Sequence, residues 1–324
     1  METSMTQSDT ERARDALREI PQFAEGDPDK VTIARLGGLT NLVFQIQLDQ
    51  ESWCLRLPGE GTEEYIDRRH EAVAARAAAA ACVSPQVLYV DEGSGVMLTR
   101  YIDGAVTMSP ERFANHPGAP ARAGRALRKL HISGAKFDAR FELFAMVDEY
   151  LGILSGKPVD LPDGYHDALA ESQDVRAALQ AHHLPLAACH CDPLCENFLD
   201  TGKRMWIVDW EYSGMNDPMW DLADLSVEGS FGPEQESEML RAYFDGEPGE
   251  SEHGRVIIYK AMCDLLWTLW GLIQHANENP VDDFWAYSTG RFERCKALMA
   301  DPSFSDALAA VRKGPSRGRL QSAP

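Results

Sequence analysis

Three closely spaced strand-like runs, residues 31–36, 42–48 and 53–57, place apolar residues at every second position, as at Val31 and Ile33, Phe44, Ile46 and Leu48, and Trp53, Leu55 and Leu57, with Gly37-Gly38-Leu39-Thr40-Asn41 between the first two runs. Such alternation lines the two faces of a strand with different side chains. The runs therefore predict an antiparallel meander. Residues 63–82 follow, rich in Ala, Arg and Glu and free of Pro and Gly, which favours a helix ending at Val83-Ser84-Pro85. Two more strand-like runs, 87–91 and 96–101, flank the turn Glu92-Gly93-Ser94-Gly95. The first hundred residues read as a five-stranded sheet with one inserted helix.

After Ile102-Asp103-Gly104 the pattern changes to helical spacing, at 119–132, 141–154, 165–182, 234–243, 256–276 and 283–300. One β-rich interruption, 187–209, sits inside this helical half. The expected organisation is an extension at 1–30, helical or flexible, a sheet-rich unit at 31–103, a helical unit at 104–311 and a Gly-, Pro- and Ser-rich disordered tail at 312–324. The most apolar long stretch, 256–273, is broken by Lys260 and Asp264 and suits a buried helix better than a membrane span.

The chain has 324 residues, with 31 Lys and Arg against 51 Asp and Glu, for a formal net charge of −20. That sign disfavours nucleic acid or an anionic membrane as partner, because both require basic surface. The first twenty residues are polar and lack the apolar core of an export signal. Seven cysteines, an odd number scattered along the chain, then argue for reduced thiols and a cytoplasmic protein. Oligomeric state is not legible.

The β-rich interruption carries the unusual chemistry. It contains His190-Cys191-Asp192-Pro193-Leu194-Cys195-Glu196-Asn197, and twelve residues after Asn197 comes Asp209 in Ile207-Val208-Asp209-Trp210-Glu211. Singly, Asp and Asn usually just cap turns. Together they supply what phosphoryl transfer needs: one Asp to orient the nucleophile and take its proton, and oxygen donors for a magnesium ion. Cys189, His190, Cys191 and Cys195 are also zinc-ligand types, but they lie along one strand and lack a second pair at finger-like spacing.

The order and spacing H-x-D-x-x-x-x-N followed by an apolar pair and Asp resemble the core of the aminoglycoside phosphotransferase and choline kinase group. Two further segments strengthen the resemblance. Arg56 projects from the third strand, opposite Leu55 and Leu57 in Leu55-Arg56-Leu57-Pro58-Gly59, with Glu71 on the next helix. The segment from Asp209 to Asp224, D-W-E-Y-S-G-M-N-D-P-M-W-D-L-A-D, is similar to that of choline and ethanolamine kinases, and of these a bacterial choline kinase most closely.

The resemblance spans roughly residues 31–300 and implies an α+β, two-lobed, protein-kinase-like fold. It also implies ATP and Mg²⁺ as cofactors and a small amine alcohol, choline foremost, as acceptor. Asp192 is then the base, Asn197 and Asp209 hold the metal, and Glu211 lies near it. Gly37, Gly38, Thr40, Asn41, Arg56, Glu71, Thr99 and Tyr101 would meet the nucleotide. Glu228, Trp267, Trp270 and Tyr287 would enclose the ammonium, with His190 and Asp221 as structural support. A quaternary ammonium donates no hydrogen bond, so aromatic faces and a carboxylate suit it. The two tryptophans three residues apart also suit plain helix packing. Ethanolamine, thiamine and aminoglycosides are the alternative acceptors on such a scaffold. A silent choline-binding module is the non-enzymatic alternative, and the intact Asp192, Asn197, Asp209 set speaks against it.

Overall fold

In the computed structural model, residues 7–24, 30–37, 41–59 and 66–315 are described. The chain opens with helices α1 (Gln7–Glu19) and α2 (Pro21–Ala24), followed by strands β1 (Thr32–Gly37), β2 (Leu42–Leu48) and β3 (Glu51–Leu57). Helix α3 (Arg68–Ala80) and strands β4 (Val87–Val90) and β5 (Met97–Arg100) complete the first lobe. The five strands form one antiparallel sheet in the order β1-β2-β3-β5-β4. Register places Phe44 opposite Leu55 and Ile46 opposite Trp53, and all four are buried on one face.

That apolar face is what α1 and α2 cover. Ala13, Leu17, Ile20 and Phe23 form one buried cluster with Phe44, Ile46, Trp53, Leu55 and Leu98, and Phe23 meets Trp53 edge-on at 5.1 Å between ring centroids. Burying side chains of this size stabilises the lobe by about 1.5–3 kcal/mol each. The opposite face of β3 is left to Cys54 and Arg56. Asp67 caps α3 by accepting the backbone N–H groups of Arg69 and His70. The alanine side of α3, Ala74, Ala75 and Ala78, packs into the core of the second lobe and ties the two together.

The second lobe runs through β6 (Val106–Thr107), α4 (Pro110–Asn115), α5 (Ala119–His131), α6 (Leu143–Leu154), α7 (Tyr165–Ala181), β7 (Ala187–Cys189), β8 (Phe198–Asp200), β9 (Met205–Ile207) and β10 (Gly214–Asn216). It closes with α8 (Met219–Glu228), α9 (Pro233–Phe244), α10 (Glu250–Ala276), α11 (Phe284–Ala300) and α12 (Pro302–Lys313). β7 pairs with β10, and β8 lies between β6 and β9. Helix α10 is the axis, packed by α6, α8, α11 and α12. Among the described residues it alone is long and apolar enough to cross a membrane, yet 78% of its apolar window is buried inside the fold. Its hydropathy is that of a core helix.

In three segments the structure adds to the pattern-based reading. The extension, expected to be helical or flexible, is helical at Gln7–Glu19 and Pro21–Ala24, and these two helices cover the sheet. Helix α8 follows Asn216-Asp217-Pro218, where turn chemistry conceals a helix start. Helix α12 starts from the Asp301 cap and Pro302 and carries into the expected tail, Arg312 pairing with Asp174 at 3.0 Å. Residues 316–324 lie outside the described residues.

Candidate active site

The loop after β7 is held from below by Asp221, which is fully buried at the start of α8. Its Oδ2 accepts the His190 N–H at 2.7 Å and its Oδ1 the Cys191 N–H at 2.8 Å. His131 Nε2 lies 2.9 Å from the same carboxylate, while His131 Nδ1 is 2.9 Å from the Tyr243 hydroxyl. Trp220 Nε1 donates to the Cys191 carbonyl at 2.9 Å. This anchoring matters because Cys191 has φ of 69°, a left-handed conformation that costs a side-chain-bearing residue about 1–2 kcal/mol. The strained residue is immediately followed by Asp192.

His190 Nε2 donates to the Val208 carbonyl at 2.9 Å, and its ring packs against Trp210 at 5.0 Å. Burial holds its imidazole below the usual pKa, so it is a neutral strut between two loops. Asn197 Nδ2 donates to the Asp192 carbonyl at 3.1 Å, and the Val208 N–H donates to the Asn197 carbonyl at 2.9 Å. The Asn197 side chain thus ties down Asp192, and its carbonyl ties down Val208, the residue before Asp209. Asp209 itself has φ of 67°.

On one side of Asp192 lies a cluster between the lobes. Arg56 from β3 pairs with Glu71 of α3, reaches Asp209 Oδ1 at 3.3 Å and donates to the Gly95 carbonyl at 3.3 Å. Arg68 bridges Glu71 at 2.9 Å and Glu211 at 3.4 Å, and Asn41 Nδ2 donates to the same Glu211 oxygen at 3.2 Å. Carboxylate oxygens of Glu71, Asp209 and Glu211 all lie within 4.8 Å of one another. Burial and the neighbouring Asp209 push the Glu211 carboxyl up to about 7, although Arg56 pulls it the other way. An all-oxygen set with negative charge left over fits a hard divalent cation such as Mg²⁺.

On the other side, α8, α10 and α11 converge. Trp267 Nε1 faces Asp224 Oδ2 at 3.4 Å, and its ring meets Tyr212 edge-on at 5.7 Å. Trp270 instead packs on Phe284 at 5.6 Å and Tyr287 at 5.8 Å, so the two tryptophans have different aromatic partners. The Arg291 guanidinium lies 4.6 Å over the Tyr287 ring and pairs with Glu228. A protein cation therefore already bridges two groups assigned to the ammonium. Phe231 packs on Phe113 at 5.1 Å.

The remaining nucleotide-side residues are spread along the first lobe. Gly37 ends β1 with φ of 138°, which a side chain would strain. Thr99 on β5 lies across from Cys54, and the Tyr101 N–H donates to the Ser52 carbonyl at 3.3 Å. Gly38 and Thr40 lie outside the described residues. The zinc quartet is not assembled. Cys189 and Cys191 direct their thiols at backbone carbonyls. Among the described residues, the metal-capable groups are Glu71–Asp209–Glu211 and His131–Cys189–Asp221.

Residues 32–253 match the family model described as the phosphotransferase enzyme family, APH. The chain belongs to the phosphotransferase enzyme family. It is similar to a choline/ethanolamine kinase family protein from Mesorhizobium loti, with 65% identity over 94% of this chain and 100% of that one and a TM-score of 0.86. Protein LicA of Haemophilus influenzae is 25% identical over 282 residues, 84% of this chain and 80% of LicA. The choline kinase LicA from Streptococcus pneumoniae shares the fold, with a TM-score of 0.73 at 24% identity over 90% of this chain and 98% of its own. This phosphotransferase therefore has the two-lobed kinase-like architecture expected from its sequence.

Arg68, Asp224 and Arg291 were missed from the sequence. Each left a faint signal: Arg68 precedes Glu71 by one helical turn, Arg291 follows Tyr287 by one turn, and Asp224 interrupts an otherwise apolar helix.

Proposed function

We propose that the chain is an ATP- and Mg²⁺-dependent kinase that phosphorylates the hydroxyl of choline, with Asp192 as the base. The observation that carries this reading is that charged groups of both clusters act on the buried Asp192 carboxyl. Its carboxyl feels Glu228 and Arg291 of one cluster and Asp209 and Glu211 of the other. An alcohol held by Glu228, Trp267, Trp270 and Tyr287 would reach Asp192 from the first cluster, and a nucleotide phosphate from the second.

Burial, with those carboxylates, holds Asp192 well above the usual carboxyl range. A base tuned upward accepts a hydroxyl proton more readily near neutral pH. Asn197 and Asp209, with Glu211 beside them, would hold Mg²⁺, which when bound neutralises charge on the phosphates. Arg56, oriented by Glu71, would meet the phosphates, with Gly37 and Asn41 beside them and Thr99 and Tyr101 toward the adenine. Catalysis is then positioning plus charge neutralisation. The names of the relatives, choline/ethanolamine kinase and LicA, support the acceptor class.

The test is ADP release from ATP and Mg²⁺ with choline, ethanolamine, thiamine and kanamycin in turn. Choline-dependent release is expected, falling by about 10²–10⁴-fold in Asp192→Asn, the usual worth of a positioned base. Another acceptor winning the panel overturns the choline assignment. Full activity in Asp192→Asn overturns the mechanism.

A further inference from the structure

The region around Trp267 holds more carboxylates than cations. Arg291 pairs with Glu228 and donates to Asp264 Oδ1 at 3.2 Å, and Arg294 grips Asp264 through both oxygens at 2.6 and 2.7 Å. Two guanidiniums thus match two carboxylates, Glu228 and Asp264. One turn before Glu228 on the same helix stands Asp224, fully buried, with no ion pair to either arginine.

Asp224 Oδ2 faces the Trp267 indole N–H at 3.4 Å and the Cys263 thiol, a weak donor, lies against the carboxylate, but Oδ1 receives no N–H or O–H hydrogen bond. A buried carboxylate oxygen without a donor is costly, and such atoms are rare unless a ligand or water meets them. The groups around it are Glu228 on α8, Asp192 on the loop after β7, Cys263 and Trp267 on α10, and Arg291 on α11. Burial beside Glu228 and Asp192 holds its carboxyl well above the ordinary range. A cation arriving beside it would relieve that strain.

We infer that Asp224, rather than Glu228 alone, supplies the negative charge that meets the acceptor's ammonium, and that its free oxygen distinguishes an ammonium bearing N–H from a fully methylated one. The inference rests on the amine-alcohol kinase reading and deepens it. Glu228 is already balanced by Arg291, so an incoming ammonium finds its unmatched charge at Asp224. A quaternary ammonium takes only the electrostatic attraction and the aromatic faces. An ammonium with at least one N–H can in addition donate to Oδ1, and a hydrogen bond to a charged, buried acceptor is among the stronger ones.

The test compares ethanolamine with choline as acceptor, in the unsubstituted protein and in Asp224→Asn, which keeps the shape and removes the charge. The substitution is expected to raise KM for ethanolamine at least about tenfold more than KM for choline, with KM for ATP unchanged, as loss of a charge-assisted hydrogen bond requires. Equal changes for both amines, or no change, overturn the inference while leaving the kinase reading intact. No amine-dependent ADP release by the unsubstituted protein overturns the kinase reading itself, and the role of Asp224 with it. Should the Asn variant fail to fold, Asp224→Ser provides the same comparison.

Discussion

Two clusters of arginines and carboxylates flank Asp192, and they differ in what holds them. Arg56 and Arg68 face Glu71, Asp209 and Glu211 across the junction of the lobes, with partners drawn from β3, α3 and the loop after β9. Arg291 and Arg294 face Glu228 and Asp264, all on helices of a single lobe packed around α10. The first set is held by groups from separate units. The second is framed by helices that share one core. In each, carboxylates outnumber guanidiniums: Glu211, shared with Arg68, has its carboxyl pushed up to about 7, and Asp224 makes no ion pair with Arg291 or Arg294. On the proposed function, similar ingredients would serve different tasks, an interlobe cluster that would meet a metal and phosphates and a cluster within one lobe that would meet one organic cation.

The sharpest way to break this distinction is to remove one arginine from each cluster. Arg56→Met strips Glu71 and Asp209 of a shared partner, and breaking a buried ion pair this way costs about 3–5 kcal/mol. A lower melting temperature and a rise in KM for ATP of at least about 100-fold are expected, as loss of a buried charge contact to a phosphate implies. The acceptor KM should move far less. Isothermal titration with ATP and steady-state kinetics check both; an unchanged KM for ATP removes Arg56 from the phosphate side.

Arg291→Met is the matching change in the second cluster, with a smaller effect expected because Arg294 still holds Asp264. Freed from Arg291, Glu228 should lose its fixed orientation, raising the acceptor KM by about tenfold at an unchanged KM for ATP. Arg291→Lys restores the charge but not the fork that spans Glu228 and Asp264, so it should recover only part of the loss. If KM for ATP rises together with that of the acceptor, the two clusters are not separate.

What the sequence made legible follows the same division. Period-two alternation located β2 and β3 and put Arg56 on the face opposite Leu55, because a strand's face is written in its nearest neighbours. Asp192, Asn197 and Asp209 were legible by spacing, since a short loop fixes their order. Arg291 was not, because its meaning depends on Glu228, 63 residues away and on another helix. The role of α1 was hidden for the same reason: its apolar residues find their partners only on the folded sheet. Asp224 was visible as a polar residue in an apolar helix, but only packing shows that one of its oxygens lacks a partner.

The smallest expected effect joins the clusters through Asp192. Its carboxyl is raised first by burial, then by Glu228, Asp209 and Glu211, with Arg291 opposing. Because a base must be ionised, activity should be lost as pH falls through this raised value, above the ordinary carboxylate range. Glu228→Gln removes a negative neighbour and leaves Arg291 less compensated, and both changes favour the ionised form. The acid limb of kcat against pH should therefore move to lower pH in Glu228→Gln and to higher pH in Arg291→Met. For stability the sign is opposite. A carboxyl raised in the folded state favours folding when protonated, so its ionisation lowers stability as pH rises from the unfolded toward the folded value. Asp192→Asn should thus melt at a higher temperature than the unsubstituted protein at pH 8 and gain little at pH 4. Limbs that stay fixed in both variants would show that the acceptor-side cluster does not tune the base, and the two regions would then act on Asp192 only through geometry.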